Sequence, residues 1–110
     1  MRATDSAAAN VDALAALPSL GLTSAQMLVD AGVPDVATLE ALGPIECYRL
    51  LRFRFGRRVT INYVYAMECA IRRIDWRLLE DARKAELKAL AKQVTAALEQ
   101  SLDAPPRPRT

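Results

Sequence analysis

The residues with the greatest chemical capacity in this chain are arginines. Eight of them (Arg49, Arg52, Arg54, Arg57, Arg58, Arg72, Arg73 and Arg77) fall within residues 49–77, against two acids, Glu68 and Asp75. That segment carries +6, whereas residues 1–48, with one arginine and six acids, carry −5. The guanidinium is a planar fork of donors suited to two-point contact with phosphate or carboxylate. Arg52, Arg54, Arg57 and Arg58 are therefore candidates for a patch on the DNA backbone. They are equally candidates for docking an acidic protein, including the acidic half of a second copy. A third reading is an ordinary solvated face, with arginine favoured over lysine by GC-rich codon usage.

A second candidate lies upstream, in Leu17-Pro18-Ser19-Leu20-Gly21-Leu22-Thr23-Ser24-Ala25. This stretch resembles the helix-hairpin-helix motif. In that motif a glycine turn and the following helix N-terminus present backbone N–H groups to a DNA phosphate, without reading sequence. Leu20, Gly21 and Thr23 are the candidate contacts. Ser19 stands where the motif prefers its first glycine, and no Lys or Arg lies from Ala3 to Ile45. A phosphate held there would lack a local cation. The other role open to Gly21 is to permit a tight turn between two helices.

Enzymatic chemistry has little to draw on. Histidine is absent, which removes the commonest general base and metal ligand. Cys47 and Cys69 are too few and too far apart for a closed zinc site in one chain. They are expected to be small buried residues in a reducing cytoplasm. Glu68 is the lone charge between Val59 and Ile71. A carboxylate in so apolar a segment needs an arginine, so a structural ion pair is expected there. No catalytic, cofactor or metal residues and no small-molecule substrate are expected. Trp76, Tyr48, Phe53, Phe55, Tyr63 and Tyr65 are expected mostly in the core.

The elements that must position these residues are helices. One domain fits 110 residues that are 52% hydrophobic and 25% charged with a net charge of +2. The apolar runs are too short to cross a membrane, and the N-terminus has no signal-peptide block. Glycines and prolines cut the chain into helix-sized pieces. Asp12 is expected to cap a first short helix. Thr23 and Gln26 have capping-box spacing for a second, which Gly32 ends. Asp35 caps a third, closing at Gly43, and Pro44 opens a fourth running to Phe55. Thr60 caps a fifth, to about Arg73. A long last helix, with Leu87, Leu90, Val94 and Leu98 on one stripe, spans about Leu79–Leu102, or ~36 Å. Its outer half is expected to project and to support a homodimer. Residues 1–10 are expected to be a flexible arm, 11–102 the helical domain, and 103–110 a Pro/Arg-rich disordered tail. A 22-residue shift aligns Leu17, Leu20, Gly21, Ala25 and Leu28 with Leu39, Leu42, Gly43, Cys47 and Leu50. Two back-to-back helix–turn–helix units would produce that repeat.

These stretches together resemble the C-terminal domain of the TfoX/Sxy family, bacterial regulators of natural DNA transformation (competence). The carriers are Leu17-Pro18-Ser19-Leu20-Gly21, Ala31-Gly32-Val33, Leu39-Glu40-Ala41-Leu42-Gly43, Tyr48, Asn62 through Ile71, and Asp75-Trp76. They cover about residues 13–90 in the family's order. Cys69 replaces a usual glycine, and Asp75 stands where His often precedes the Trp. Ser24 through Leu42 also looks like the C-terminal domain of the RNA polymerase α subunit. The resemblance implies an all-α, helix-hairpin-helix or SAM-like bundle of five to six helices without enzymatic activity. The expected partners are double-stranded DNA or a regulatory protein, with transcription regulation as the setting. The alternative is a protein–protein or self-association module with no nucleic-acid contact. The family's separate N-terminal domain is not in these 110 residues, so the expectation is a stand-alone C-terminal-type domain.

Overall fold

The computed structural model describes the backbone of residues 11–103 and the side chains through residue 100. The expected arm, residues 1–10, and the tail beyond residue 103 lie outside the described residues. Five helices follow one another: α1 (residues 11–15), then α2 (Leu22–Asp30), α3 (Val36–Phe55), α4 (Ile61–Arg72) and α5 (Asp81–Asp103). Two 3₁₀ turns, Gly56–Arg58 and Trp76–Leu78, lead into α4 and toward α5. The described residues contain no strand.

Local chemistry accounts for most of the boundaries. At the end of α2, Gly32 adopts φ 103. Its N–H donates to Val29 O (3.2 Å) and the Val33 N–H donates to Leu28 O (2.8 Å). This paired closure needs a left-handed residue, and it brings Leu28 and Val33, both fully buried, into contact range. Asp35 caps α3, accepting from the Thr38 N–H at 2.8 Å and the Thr38 hydroxyl at 2.6 Å. Those two bonds hold the Asp35 carboxyl below its ordinary pKa. The third and fourth expected helices form one element kinked at Gly43 (φ 82, ψ 169), with Pro44 opening the second limb.

Other expected caps do not form. Asp12 lies within α1 rather than before it. α2 starts one residue early, with Gly21 at the N-cap and no side-chain cap bond, so Thr23 and Gln26 make no capping box. Thr60 occupies the N-cap of α4 but makes no side-chain bond. The last helix, α5, begins at Asp81 rather than near Leu79, after a 3₁₀ turn that Asp75 caps by accepting from the Arg77 N–H (2.9 Å).

The core is built from Leu14, Leu28, Leu39, Leu51, Met67 and Leu87, all under 2% exposed. Ala25 and Cys47, equivalent in the 22-residue repeat, are both fully buried small residues facing neighbouring helices. Burial pushes the Cys47 thiol up to about 12 and the Cys69 thiol upward as well. The outer half of α5 does not project as expected. It lies along α3, where the Tyr48 hydroxyl hydrogen-bonds Thr95 Oγ1 (3.0 Å) and Arg52 pairs with Glu99 (3.3 Å). An apolar stripe of this width is satisfied by the neighbouring helix.

Candidate binding surface

Arginine pairing separates the cations into two groups. Six of the nine arginines among the described residues have acidic partners. Arg49 pairs with Glu46, Arg52 with Glu99, Arg73 with Glu40 and Arg77 with Asp75. Arg72 bridges Glu68 (3.6 Å) and Glu80 (2.9 Å), and Arg83 bridges Glu68 (2.8 Å) and Glu86 (2.7 Å). The three without an acidic partner among the described residues are Arg54, Arg57 and Arg58, which fall together where α3 runs into its 3₁₀ turn. All three are exposed. The guanidinium groups of Arg54 and Arg58 each lie 5.9 Å from the centroid of the Phe55 ring, so one partly buried aromatic orients both.

Arg52 leaves this group, contrary to the sequence expectation. Its side chain is 13% exposed, and Nη1 donates to the Val59 carbonyl at 2.9 Å. It ties the turn and α5 to α3. Phe53 also departs from expectation, since it is 65% exposed rather than core. The signal was present in the sequence. Residues two apart on a helix point about 200° apart, so Phe53 and Phe55 cannot both face inward.

The α1–α2 turn is the second part of the surface. Leu20, a candidate contact, is only 5% exposed and serves as a core anchor. Gly21 and Thr23 are exposed at the start of α2. Gly21 has an ordinary extended backbone (φ −106, ψ −178), and a Cβ there would meet nothing within 4 Å. The fold therefore does not require glycine at 21. The left-handed residue of the turn is Ser19, with φ 67. A non-glycine residue in that region is disfavoured. Ser19→Gly is expected to raise stability by about 0.5 kcal/mol, and Ser19→Val to lower it by about 2 kcal/mol. Thermal melts followed by circular dichroism check both signs.

A shallow groove of ≈ 420 Å³ borders this turn, lined by Ser19, Asn62, Tyr65, Ala66, Trp76 and Lys84. A smaller recess with Ser24 and Tyr63 shares Asn62 and Ala66 with it. The N-terminus of α4 thus borders the hairpin. Arg58 is four residues before Asn62, within roughly 15 Å by chain length. No direct contact joins the hairpin candidates to the arginines. Trp76, expected in the core, is 63% exposed, and Leu78 beside it is 64% exposed. Asp75 and Arg77, paired on the same short turn, hold this indole outside the packed helices.

Glu68 is 5% exposed. Arg83 approaches it with two nitrogens, Nε to Oε2 at 2.8 Å and Nη2 to Oε1 at 3.3 Å. Arg72 was readable as a partner from its i+4 spacing. Arg83, fifteen residues on and in another helix, was not. Among the described residues no group of three or more His, Cys, Asp or Glu side chains is placed to hold a metal ion.

Similarity to known proteins follows the same segments. Residues 10–91 match the model of the TfoX C-terminal domain. The chain is 30% identical over 78 residues to DNA transformation protein TfoX1 of Aliivibrio fischeri, a match covering 71% of this chain. It spans 36% of that relative's length. Two crystal structures from Listeria monocytogenes, of an uncharacterized protein and of a protein of unknown function, are each 30% identical. The first covers 83% of this chain and 93% of its own, with a TM-score of 0.65. The second covers 74% and 99%, with a TM-score of 0.69. With its segments matched in sequence and its helices matched in space, the chain belongs to the TfoX C-terminal domain family.

Proposed function

We propose that this domain is a non-enzymatic binding module in DNA-linked regulation, gripping an anionic backbone with Arg54, Arg57 and Arg58. The observation that carries this reading is selective pairing. Six arginines are held by acids of the same chain, and the other three among the described residues lie together where α3 ends and its 3₁₀ turn follows. Indifferent codon usage would not sort them by place. Membership of the TfoX family and similarity to a DNA transformation protein make DNA the favoured partner. A bacterial cytoplasm, where DNA is accessible and Cys47 and Cys69 stay reduced, is the setting this role implies. Among the described residues no helix is long and apolar enough to cross a membrane.

The test is fluorescence anisotropy of a labelled 20–30 bp duplex at low and physiological salt. Arg57→Glu/Arg58→Glu is expected to weaken binding at least tenfold and to lower the salt slope by about 2. Both residues are exposed, so the melting temperature should stay near that of the wild type. Gly21→Ala in the same titration asks whether the hairpin contributes; its fold cost is below about 1 kcal/mol. Absence of binding to both duplex and single-stranded DNA at low salt, or binding that ignores the charge reversal, overturns the reading. A second reading rests on exposed Trp76 and Leu78, which suit a protein partner or a second copy. A stable dimer in light scattering with no DNA binding would favour it.

A further inference from the structure

The corner that carries Arg54, Arg57 and Arg58 also carries a largely exposed aromatic ring. Phe53 is 65% exposed, on the last turn of α3. Phe55, two residues on, has two guanidiniums over its ring. Among the described residues no cation lies over the ring of Phe53, so its π-face is open. Arg49 and Phe53 share one side of α3 at i, i+4 spacing, and Arg57 follows in the 3₁₀ turn Gly56–Arg58, after the helix has ended at Phe55. No acid occurs from Arg49 through Met67.

A duplex presents phosphates outward and hides its base faces, so a backbone grip on duplex DNA has no use for an exposed ring. A single strand presents both. Proteins that hold single strands combine a cationic track for phosphates with aromatic rings on which bases stack. We propose that the α3 corner binds single-stranded DNA, one base stacking on Phe53 while Arg54, Arg57 and Arg58 hold the flanking phosphates. This rests on the reading of the arginines as a nucleic-acid contact and adds which form of DNA they meet. Arg54 is next to Phe53 in sequence, and Arg57 and Arg58 lie in the 3₁₀ turn that follows α3, so all three stand within five residues of the ring.

Anisotropy with three labelled probes separates the possibilities: a 20-nucleotide dT strand, a 20-nucleotide strand of the same charge with abasic sites throughout, and a 20-bp duplex. The expected result is tightest binding to dT. Phe53→Ala should weaken dT binding about five- to thirtyfold and leave abasic binding unchanged. Phe53→Tyr should restore dT binding. Exposure of Phe53 keeps the variants folded, which a thermal melt checks. Equal binding of dT and abasic strands, or a Phe53→Ala variant indistinguishable from wild type on dT, overturns the stacking role and leaves the arginine grip standing. Binding of none of the three probes at low salt overturns both.

Discussion

Leu28→Ala is expected to destabilise the domain by about 3–4 kcal/mol, one of the largest effects of any single truncation here. Leu28 is fully buried and is one of only three buried residues on α2, with Ala25 and Met27. Its role is double. Its side chain fills the core beneath α2, and its carbonyl accepts the Val33 N–H that closes the helix (2.8 Å). The main-chain bond survives the substitution, but the apolar contact that accompanies it does not. Few other contacts can compensate. Tyr63 reaches Met27, its hydroxyl donating to Sδ at 3.7 Å, and Ala25 has little surface to offer. In urea the midpoint should fall with little change in slope, and the melting temperature should drop by about 10 °C or more. A loss under about 1 kcal/mol would mean that α2 is held mainly by its neighbours. Because α2 begins at the hairpin, the same variant should loosen Gly21 and Thr23 before it loosens Arg57 and Arg58, which sit beyond the kink of α3.

Helix identity and most punctuation were legible because they depend on neighbours in sequence. Gly32 ends α2 and Asp35 caps α3, each through bonds spanning five residues or fewer. Pro44 follows the positive-φ Gly43, whose non-helical backbone separates the two expected helical limbs. The capping box at Thr23 looked equally good locally. The chain enters α2 through Ser19 in a left-handed conformation and Leu20 pinned in the core, which starts the helix a residue earlier. The candidate site was half legible. Composition marked the arginine segment, but which arginines are free was decided by partners far away. Glu99, forty-seven residues from Arg52, removes it from the surface, and Glu40 engages Arg73 from thirty-three residues away. Such pairs follow from tertiary packing and leave no local trace. Phe53 was different, since its outward direction was implied by its spacing from Phe55. Trp76 was misplaced because a large indole was presumed buried, whereas a three-residue turn capped by Asp75 holds it outside.

The second large effect is expected at the ion pair of the buried carboxylate Glu68. Arg83→Met should cost about 2–4 kcal/mol, because Glu68 is 5% exposed and would lose its two-point partner. Arg72 offers incomplete replacement. It stands 3.6 Å from Glu68 and is already engaged by Glu80 at 2.9 Å, an interaction that holds the Glu80 carboxyl down to about 2. The double variant Glu68→Leu/Arg83→Met removes charge and partner together, and it should recover stability to within about 1 kcal/mol of wild type. A double-mutant cycle in urea reads the coupling directly. If Arg83→Met alone costs under about 1 kcal/mol, the carboxylate is satisfied without Arg83 and the pair is incidental. The cycle also bears on the binding surface. Arg83 joins α5 to α4, and Arg72 joins α4 to Glu80 just before α5, so both are already engaged by acids of the fold. Arg83→Met should therefore leave DNA affinity unchanged at temperatures where the variant is folded, while Arg57→Glu/Arg58→Glu should change affinity and spare stability. That reciprocal pattern requires a division of labour among arginines of one chain, set by which of them the fold has already paired.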